Sequence, residues 1–169
     1  MTHAAEIPNP LPTHELTMTL LMTPDKVNFA GNVHGGQVLK MLDEVAYACA
    51  CRYSGRYVVT LSVDNVLFKE PMHVGELVTF LATVNFTGRT SMEIGIKVVA
   101  ENPTTRECRH AMTCYFTMVA VDDDGRPTPV PPRIPKSAKA RQRHEAAKRR
   151  RALRRETEER HQRIRAEVR

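Results

Sequence analysis

The stretch from Gly35 to Tyr53, GGQVLKMLDEVAYACACRY, decides how the rest of the chain is read. Two glycines open it, and no further Gly or Pro follows until Gly55. Val38, Leu42, Val45, Ala46 and Cys49 recur at i, i+4, i+7, i+8 and i+11, the stripe of a helix packed on something apolar. Outward from this predicted helix the period changes. Leu16, Met18, Leu20 and Met22 alternate with Glu15, Thr17 and Thr19, with Leu21 breaking the pattern, which predicts a first strand. Thr23-Pro24-Asp25 ends it, and a loop rich in Asn and Gly runs on to Gly36. After the helix come four strand candidates: Tyr57 to Phe68, Leu77 to Phe86, Ser91 to Ala100 and Glu107 to Val121. Glu70-Pro71 with Gly75, Thr87-Gly88-Arg89 and Asn102-Pro103 supply the turns between them. Short connections favour antiparallel neighbours. The order predicts a two-layer α+β domain, one antiparallel five-stranded sheet on one long helix. Such a sheet has an outer face and edges that need cover, which a homo-oligomer supplies.

At 169 residues the chain is long enough for one domain with an appendage and too short for two compact ones. Its net charge of +6 is unevenly spread. Residues 136–169 hold 14 Lys/Arg against 5 Asp/Glu, a balance of +9, while residues 1–135 hold 11 against 14, a balance of −3. Five prolines between Pro127 and Pro135 mark the join. The expected organisation is an N-terminal segment (1–14), a folded domain (15–125), a Pro-rich linker (126–135) and a basic helical tail (136–169). No stretch approaches the length of a membrane-spanning helix. Met1 to His14 lacks the basic start and apolar core of a secretory signal. Cys49, Cys51, Cys108 and Cys114 have neither metal nor redox spacing and read as small buried hydrophobes in a reducing compartment, so a cytoplasmic location is expected.

Chemistry concentrates between Asn28 and Asp43. Gly35-Gly36 allow close approach to a backbone whose first-turn N–H groups have no partner within the helix, so a developing oxyanion can be stabilised there; the same glycines could simply turn the chain. Asp43 is roughly 140° round from Val38, off the apolar stripe yet among Met41, Leu42 and Val45. A carboxylate in such company is paired, used, or at the helix margin facing water. Glu44 reads as solvated. Asn28 in the preceding loop offers an amide for a water or a carbonyl, or is a loop asparagine. His34 is either an acid/base group or positional.

Together, Pro24-Asp25, Asn28 to Gly36 and Met41-Leu42-Asp43 resemble the signature of the hotdog-fold acyl-CoA thioesterases, the group of YciA-type bacterial enzymes and brain-type cytosolic acyl-CoA hydrolases. The resemblance continues through Phe68-Lys69-Glu70-Pro71, Val74-Gly75-Glu76 and Thr87 to Ser91, covering about residues 15–135. It implies a sheet wrapped around the helix and hydrolysis of fatty acyl-CoA to fatty acid and CoA. It also implies sites between subunits of a trimer of dimers, Asn28 of one chain working with Asp43 of another. The implied catalytic set is Asn28, Asp43 as general base or nucleophile, and the Gly36 N–H as oxyanion donor, with Gly35 lining the substrate. Arg89 and Ser91 are the candidates for CoA phosphates, Arg89 being otherwise an ordinary hairpin arginine. No metal or cofactor is expected, because a thiolate is a good leaving group. A nucleotide effector, as in some relatives, is an open partner. No membrane partner is expected.

The tail lacks Gly and Pro and favours helix, with Glu145–Arg149, Glu156–Arg160 and Glu159–Arg163 at i, i+4. Leu153, Ile164 and Val168 are too few for a core face. It reads as a solvated helix, as packing across an oligomer or holding CoA phosphates, or as a polyanion binder. It has no aromatic residue for base stacking, so nucleic acid is disfavoured. The alternative to an enzyme is an acyl-CoA sensor or a polyanion (RNA)-binding module acting through the tail. A dehydratase is weaker still, because no His/Asp dyad of that kind is found.

Overall fold

The computed structural model describes residues 12–167, so residues 1–11 of the expected N-terminal segment, and Val168 in the tail, lie outside the described residues. Helix α1 spans Gly35–Ser54 and buries Val38, Met41, Leu42, Val45, Ala46, Cys49 and Ala50. It stops where Gly55 takes a left-handed conformation, φ 64°, and returns its N–H to the Cys51 carbonyl. Only glycine enters that region without a Cβ penalty.

Five strands form one antiparallel sheet: β1 (Glu15–Leu21), β2 (Tyr57–Val63), β3 (Leu77–Thr87), β4 (Ser91–Glu101) and β5 (Cys108–Val121), in spatial order β1-β3-β4-β5-β2. Alternate residues of β3, β4 and β5 (Val78, Phe80, Ala82; Ile94, Ile96, Val98; Cys114, Phe116, Met118) form one core with the apolar stripe of α1. This is the predicted sheet on one long helix. β2 is shorter than the predicted 57–68 strand. Its ladder with β5 ends at Val63–Phe116, and the Asp64 N–H makes a last bond to the Tyr115 carbonyl. The chain then leaves the sheet, and the Phe68 ring comes to lie against Gly35, where an added Cβ would sit 3.5 Å from it.

The cysteines divide. Cys49 and Cys114 are buried, and burial pushes both thiols up to about 12. Cys51 is half-buried, and Cys108 is exposed at the start of β5, which corrects the reading of all four as buried hydrophobes.

The basic tail forms helix α2 (Ala138–Glu167) and packs on its own chain's sheet, on the face turned away from α1. Glu93 of β4 points to that face, its side chain 1 % exposed. Arg150 reaches its Oε1 at 2.6 Å and Arg154 its Oε2 at 2.9 Å. Arg154 also donates to both oxygens of Asp64, at 2.8 and 3.1 Å. The Arg150 guanidinium stacks over the Tyr115 ring at 3.6 Å, and Ala147 is fully buried. Too few aliphatics for a core face therefore did not mean a solvated helix, because arginines meeting a buried acid dock it. Of the three expected i, i+4 pairs, Glu156–Arg160 forms at 2.6 Å; Glu145 turns instead to Lys148 at i+3. Glu159–Arg163 is not a pair among the described residues. The stretch before α2 lies along the sheet: the Thr128, Val130 and Arg133 N–H groups bond to the Ala120 carbonyl, the Arg89 carbonyl and Thr87 Oγ1.

Candidate active site

The loop before α1 is built around Asn28. Its side-chain oxygen accepts from the Ala30 N–H at 2.9 Å and the Asn32 N–H at 3.2 Å. Both acceptor positions are thus used internally, and the side-chain NH2 has no partner among the described residues. An asparagine held this way is a donor aimed outward, suited to a carbonyl or the oxygen of a water. The loop is tied down from its far side. The Val33 N–H bonds to the Met72 carbonyl at 2.8 Å, and Asn32 bridges to His73. The 71–76 turn is in turn pinned by Arg109 of β5, which grips buried Glu76 at 2.6 and 2.8 Å. That guanidinium, with a further bond from the His73 N–H, holds the Glu76 carboxyl below its ordinary value.

His34 is the N-cap of α1, and its Nδ1 accepts the Gly36 N–H at 2.9 Å. The expected oxyanion donor is therefore occupied by the cap, while the Gly35 N–H has no partner among the described residues. His34 is exposed, so no core packing holds its ring in this position beyond the cap itself.

Asp43 is exposed on the single chain and accepts a 2.6 Å hydrogen bond from Thr60 Oγ1 of β2 through its Oδ1. The hydroxyl fixes the carboxylate's direction and leaves Oδ2 open. Thr60 was missed by sequence reasoning. Its signal was a hydroxyl two residues after the buried Val58, on the same face of the strand. Glu44 is exposed and meets Lys40 at 3.8 Å, as a solvated residue does. Asp43 stands seven residues beyond Gly36 on the same face of α1, ~10 Å along the axis. That gap is too long for the opening of one helix and a carboxylate two turns along it to act on one carbonyl carbon.

Arg89 sits exposed in the β3–β4 hairpin. Ser91 pairs with Val119, which pairs on its other side with Val59, so the hairpin lies two strands, ~10 Å, from β2 at the level of Thr60. The Arg151 guanidinium of α2 lies over this hairpin, within 3.4 Å of where a Cβ on Gly88 would be.

β2 is an edge strand that exposes Tyr57, Val59 and Leu61 and, past a register shift between Thr60 and Ser62, Val63; exposed Leu67 and Phe68 follow. An apolar edge of this length invites pairing with another chain. Among the described residues, no group of three or more His, Cys, Asp and Glu side chains is placed to hold a metal ion, and no helix is long and apolar enough to cross a membrane.

The family model for the thioesterase superfamily matches residues 30–107, the span that holds Gly35, Gly36, Asp43, Thr60 and Ser91. Protein VdlD of Helicobacter pylori is 49% identical over 140 residues, 83% of this chain and 80% of that protein. The structure of an apo-hexameric acyl-CoA thioesterase superposes with a TM-score of 0.82 at 36% identity, over 85% of this chain and 92% of that one. An acyl-CoA hydrolase of Staphylococcus aureus, solved with butyryl coenzyme A, coenzyme A and coenzyme A disulfide, gives 0.77 at 27% identity over 89% and 94%. Three alanine variants of that hydrolase, replacing an asparagine, an aspartate and a threonine, match as well.

Proposed function

The chain belongs to the thioesterase superfamily and is an acyl-CoA thioester hydrolase, and we propose that its chemistry is carried by Asp43, Asn28 and the opening of α1. The observation that supports this most is the Thr60–Asp43 hydrogen bond. It orients a carboxylate that no cation among the described residues pairs with, and leaves one oxygen free to work. Asp43 Oδ2 takes a proton from water as the water adds to the thioester carbon, or adds to that carbon itself to give an anhydride that water then opens. In either route the C–S bond breaks, the CoA thiolate leaves and takes up a proton, and the free acid remains. Negative charge on the carbonyl oxygen is met by the α1 N-terminus: by the Gly35 N–H directly, and by the Gly36 N–H once His34 turns away. The Asn28 NH2 donates to the carbonyl or to the attacking water. Arg89 and Ser91 hold CoA phosphates.

The ~10 Å between Gly36 and Asp43 supports a site shared by two chains. With two copies paired along the β2 edge, Asp43 of one serves the helix opening and Asn28 of the other, and a trimer of such dimers completes the particle. The test is thiol release from a panel of acyl-CoAs by wild type, Asp43→Ala and Asn28→Ala. Each replacement is expected to lower turnover by about 10²–10⁴-fold with the oligomer intact. Unchanged turnover in both removes the assignment.

A further inference from the structure

A second concavity, of about 630 Å³, lies on the face of the sheet turned away from α1, beside the first two turns of α2. Lys97 of β4, Arg133 and Lys136 of the stretch before α2, and Lys139 and Arg143 of α2 all line it. Among the described residues the one carboxylate there is Glu15, which is next to His14 at 3.8 Å. Arg133 spends part of its guanidinium on the Val84 and Ile134 carbonyls. The other four cations have no carboxylate partner among the described residues, whereas Arg109, Arg150 and Arg154 each have one. The first turn of α2 holds no acidic residue. Unpaired like charges drawn from three segments into one concave surface repel one another, and a concave wall focuses their field. The effect is registered at the rim. The His14 ring is held below its ordinary value by burial and then by Arg133, with Lys136 acting the same way against Glu15.

We propose that this groove binds a compact polyphosphate anion, a diphosphate or the phosphates of a nucleotide, at a site separate from the Arg89–Ser91 hairpin. Its volume falls within the range of small-molecule pockets. Arg143 offers a planar fork for phosphate oxygens and the lysines offer point charges. Among the described residues no Phe, Tyr or Trp lines the groove and His14 is its one ring, so it has no row of platforms for the stacked bases of a single-stranded nucleic acid. Two sources supply this chemistry: the nucleotide end of CoA, or a free nucleotide or diphosphate.

The test is calorimetric titration of the full-length protein with inorganic pyrophosphate and with adenosine 3′,5′-bisphosphate, the phosphorylated nucleotide of CoA. The groove variant is Lys139→Glu with Arg143→Glu, two exposed positions with no ion pair among the described residues. The control is Arg163→Glu with Arg165→Glu, the same change of charge at the far end of α2. Saturable binding to wild type is expected, weakened about tenfold or more in the groove variant, kept in the control, and reduced by salt. No saturable binding to wild type, or equal loss in both variants, overturns the site. Kinetics with acyl-CoA and with the acyl N-acetylcysteamine thioester, which has no phosphates, then separates the two sources. A rise in KM for acyl-CoA alone identifies the groove with the substrate's nucleotide end. Unchanged KM beside lost pyrophosphate binding identifies a separate ligand. Pyrophosphate binding is read without turnover, so it stands or falls apart from Asp43 and Asn28.

Discussion

Replacing Arg150 and Arg154 together by alanine tests what holds α2 to the sheet. Both guanidiniums end on one carboxylate, Glu93, whose side chain is 1 % exposed. Its remaining partner is the Asn85 side-chain NH2 at 3.2 Å. Without the arginines a buried charge is left with one neutral donor. Stripping one side of a buried ion pair costs about 3–5 kcal/mol. The variant can escape by releasing α2 and rewetting Glu93. That route gives up the burial of Ala147, the His144–Phe86 ring contact at 5.1 Å and the Arg151 guanidinium 5.4 Å over the Phe86 ring, so neither route is free. For a chain of this size a kilocalorie moves the melting temperature by about 2–4 °C, so the expected fall is about 6–20 °C. Circular dichroism melts at one fixed protein concentration measure it, because assembly itself stabilises. The companion variant replaces Glu93, Arg150 and Arg154 all by methionine. With the Glu93 charge gone, and Asp64 reaching water at 20 % side-chain exposure, it is expected to recover most of the loss. A double alanine variant that melts with wild type, or a triple methionine variant that melts below it, refutes the account of an acid clamped by two arginines.

Thr60→Val keeps the shape of the side chain and removes the hydroxyl from Asp43. A hydrogen bond to a charged group is worth about 1.5–3 kcal/mol, so kcat is expected to fall about 10–150-fold with KM little changed; an equal kcat denies Thr60 a part in positioning Asp43. Glu76 is held below its ordinary value by Arg109, so its contribution to stability is complete above the unfolded value of about 4.3 and is lost as pH falls through the lower folded value. Melts across the acid range are therefore expected to show a shallower loss for Glu76→Gln than for wild type, from a lower starting stability at neutral pH. Alkylation under native conditions followed by peptide mapping is expected to label exposed Cys108 and to spare Cys49 and Cys114, whose thiols are pushed up to about 12.

Much of this arrangement was legible in the chain because its signals are local. A 3.6-residue stripe flanked by glycines fixed α1 to within a residue of its observed end, and alternation with turn residues located β1, β3, β4 and β5. β2 was overextended because Val66, Leu67 and Phe68 continue an apolar run after the chain has left the sheet at Asp64, while β5 itself reaches back to Cys108. Thr60 and the docking of α2 were hidden for one shared reason. Each depends on which residue stands opposite in space: Asp43 seventeen positions before Thr60, and Glu93 fifty-seven before Arg150. Glu93 sits in an alternating strand at a position that alternation assigns to solvent, and only the helix laid over it makes it buried. His34 was legible as a residue of interest, but capping is a matter of ring geometry that composition does not carry.

The separation of Gly36 from Asp43 carries a consequence that mixing can test. If each site takes its helix opening and Asn28 from one chain and its carboxylate from another, the Asn28→Ala and Asp43→Ala chains damage different halves. A chain with Asp43 replaced still offers Asn28 and the α1 opening; a chain with Asn28 replaced still offers Asp43. In a random equal mixture, half of the openings keep Asn28, and half of those face an intact Asp43. About a quarter of wild-type turnover is therefore expected from co-expressed variants, each close to inactive alone. Were both groups drawn from one chain, every site in the mixture would lack one of them and turnover would stay near the level of the single variants. Co-expression with two affinity tags, isolation of the doubly tagged particle and thiol-release assay give the number. Mixing the purified variants after assembly serves as the control, since it is expected to restore activity only as fast as subunits exchange.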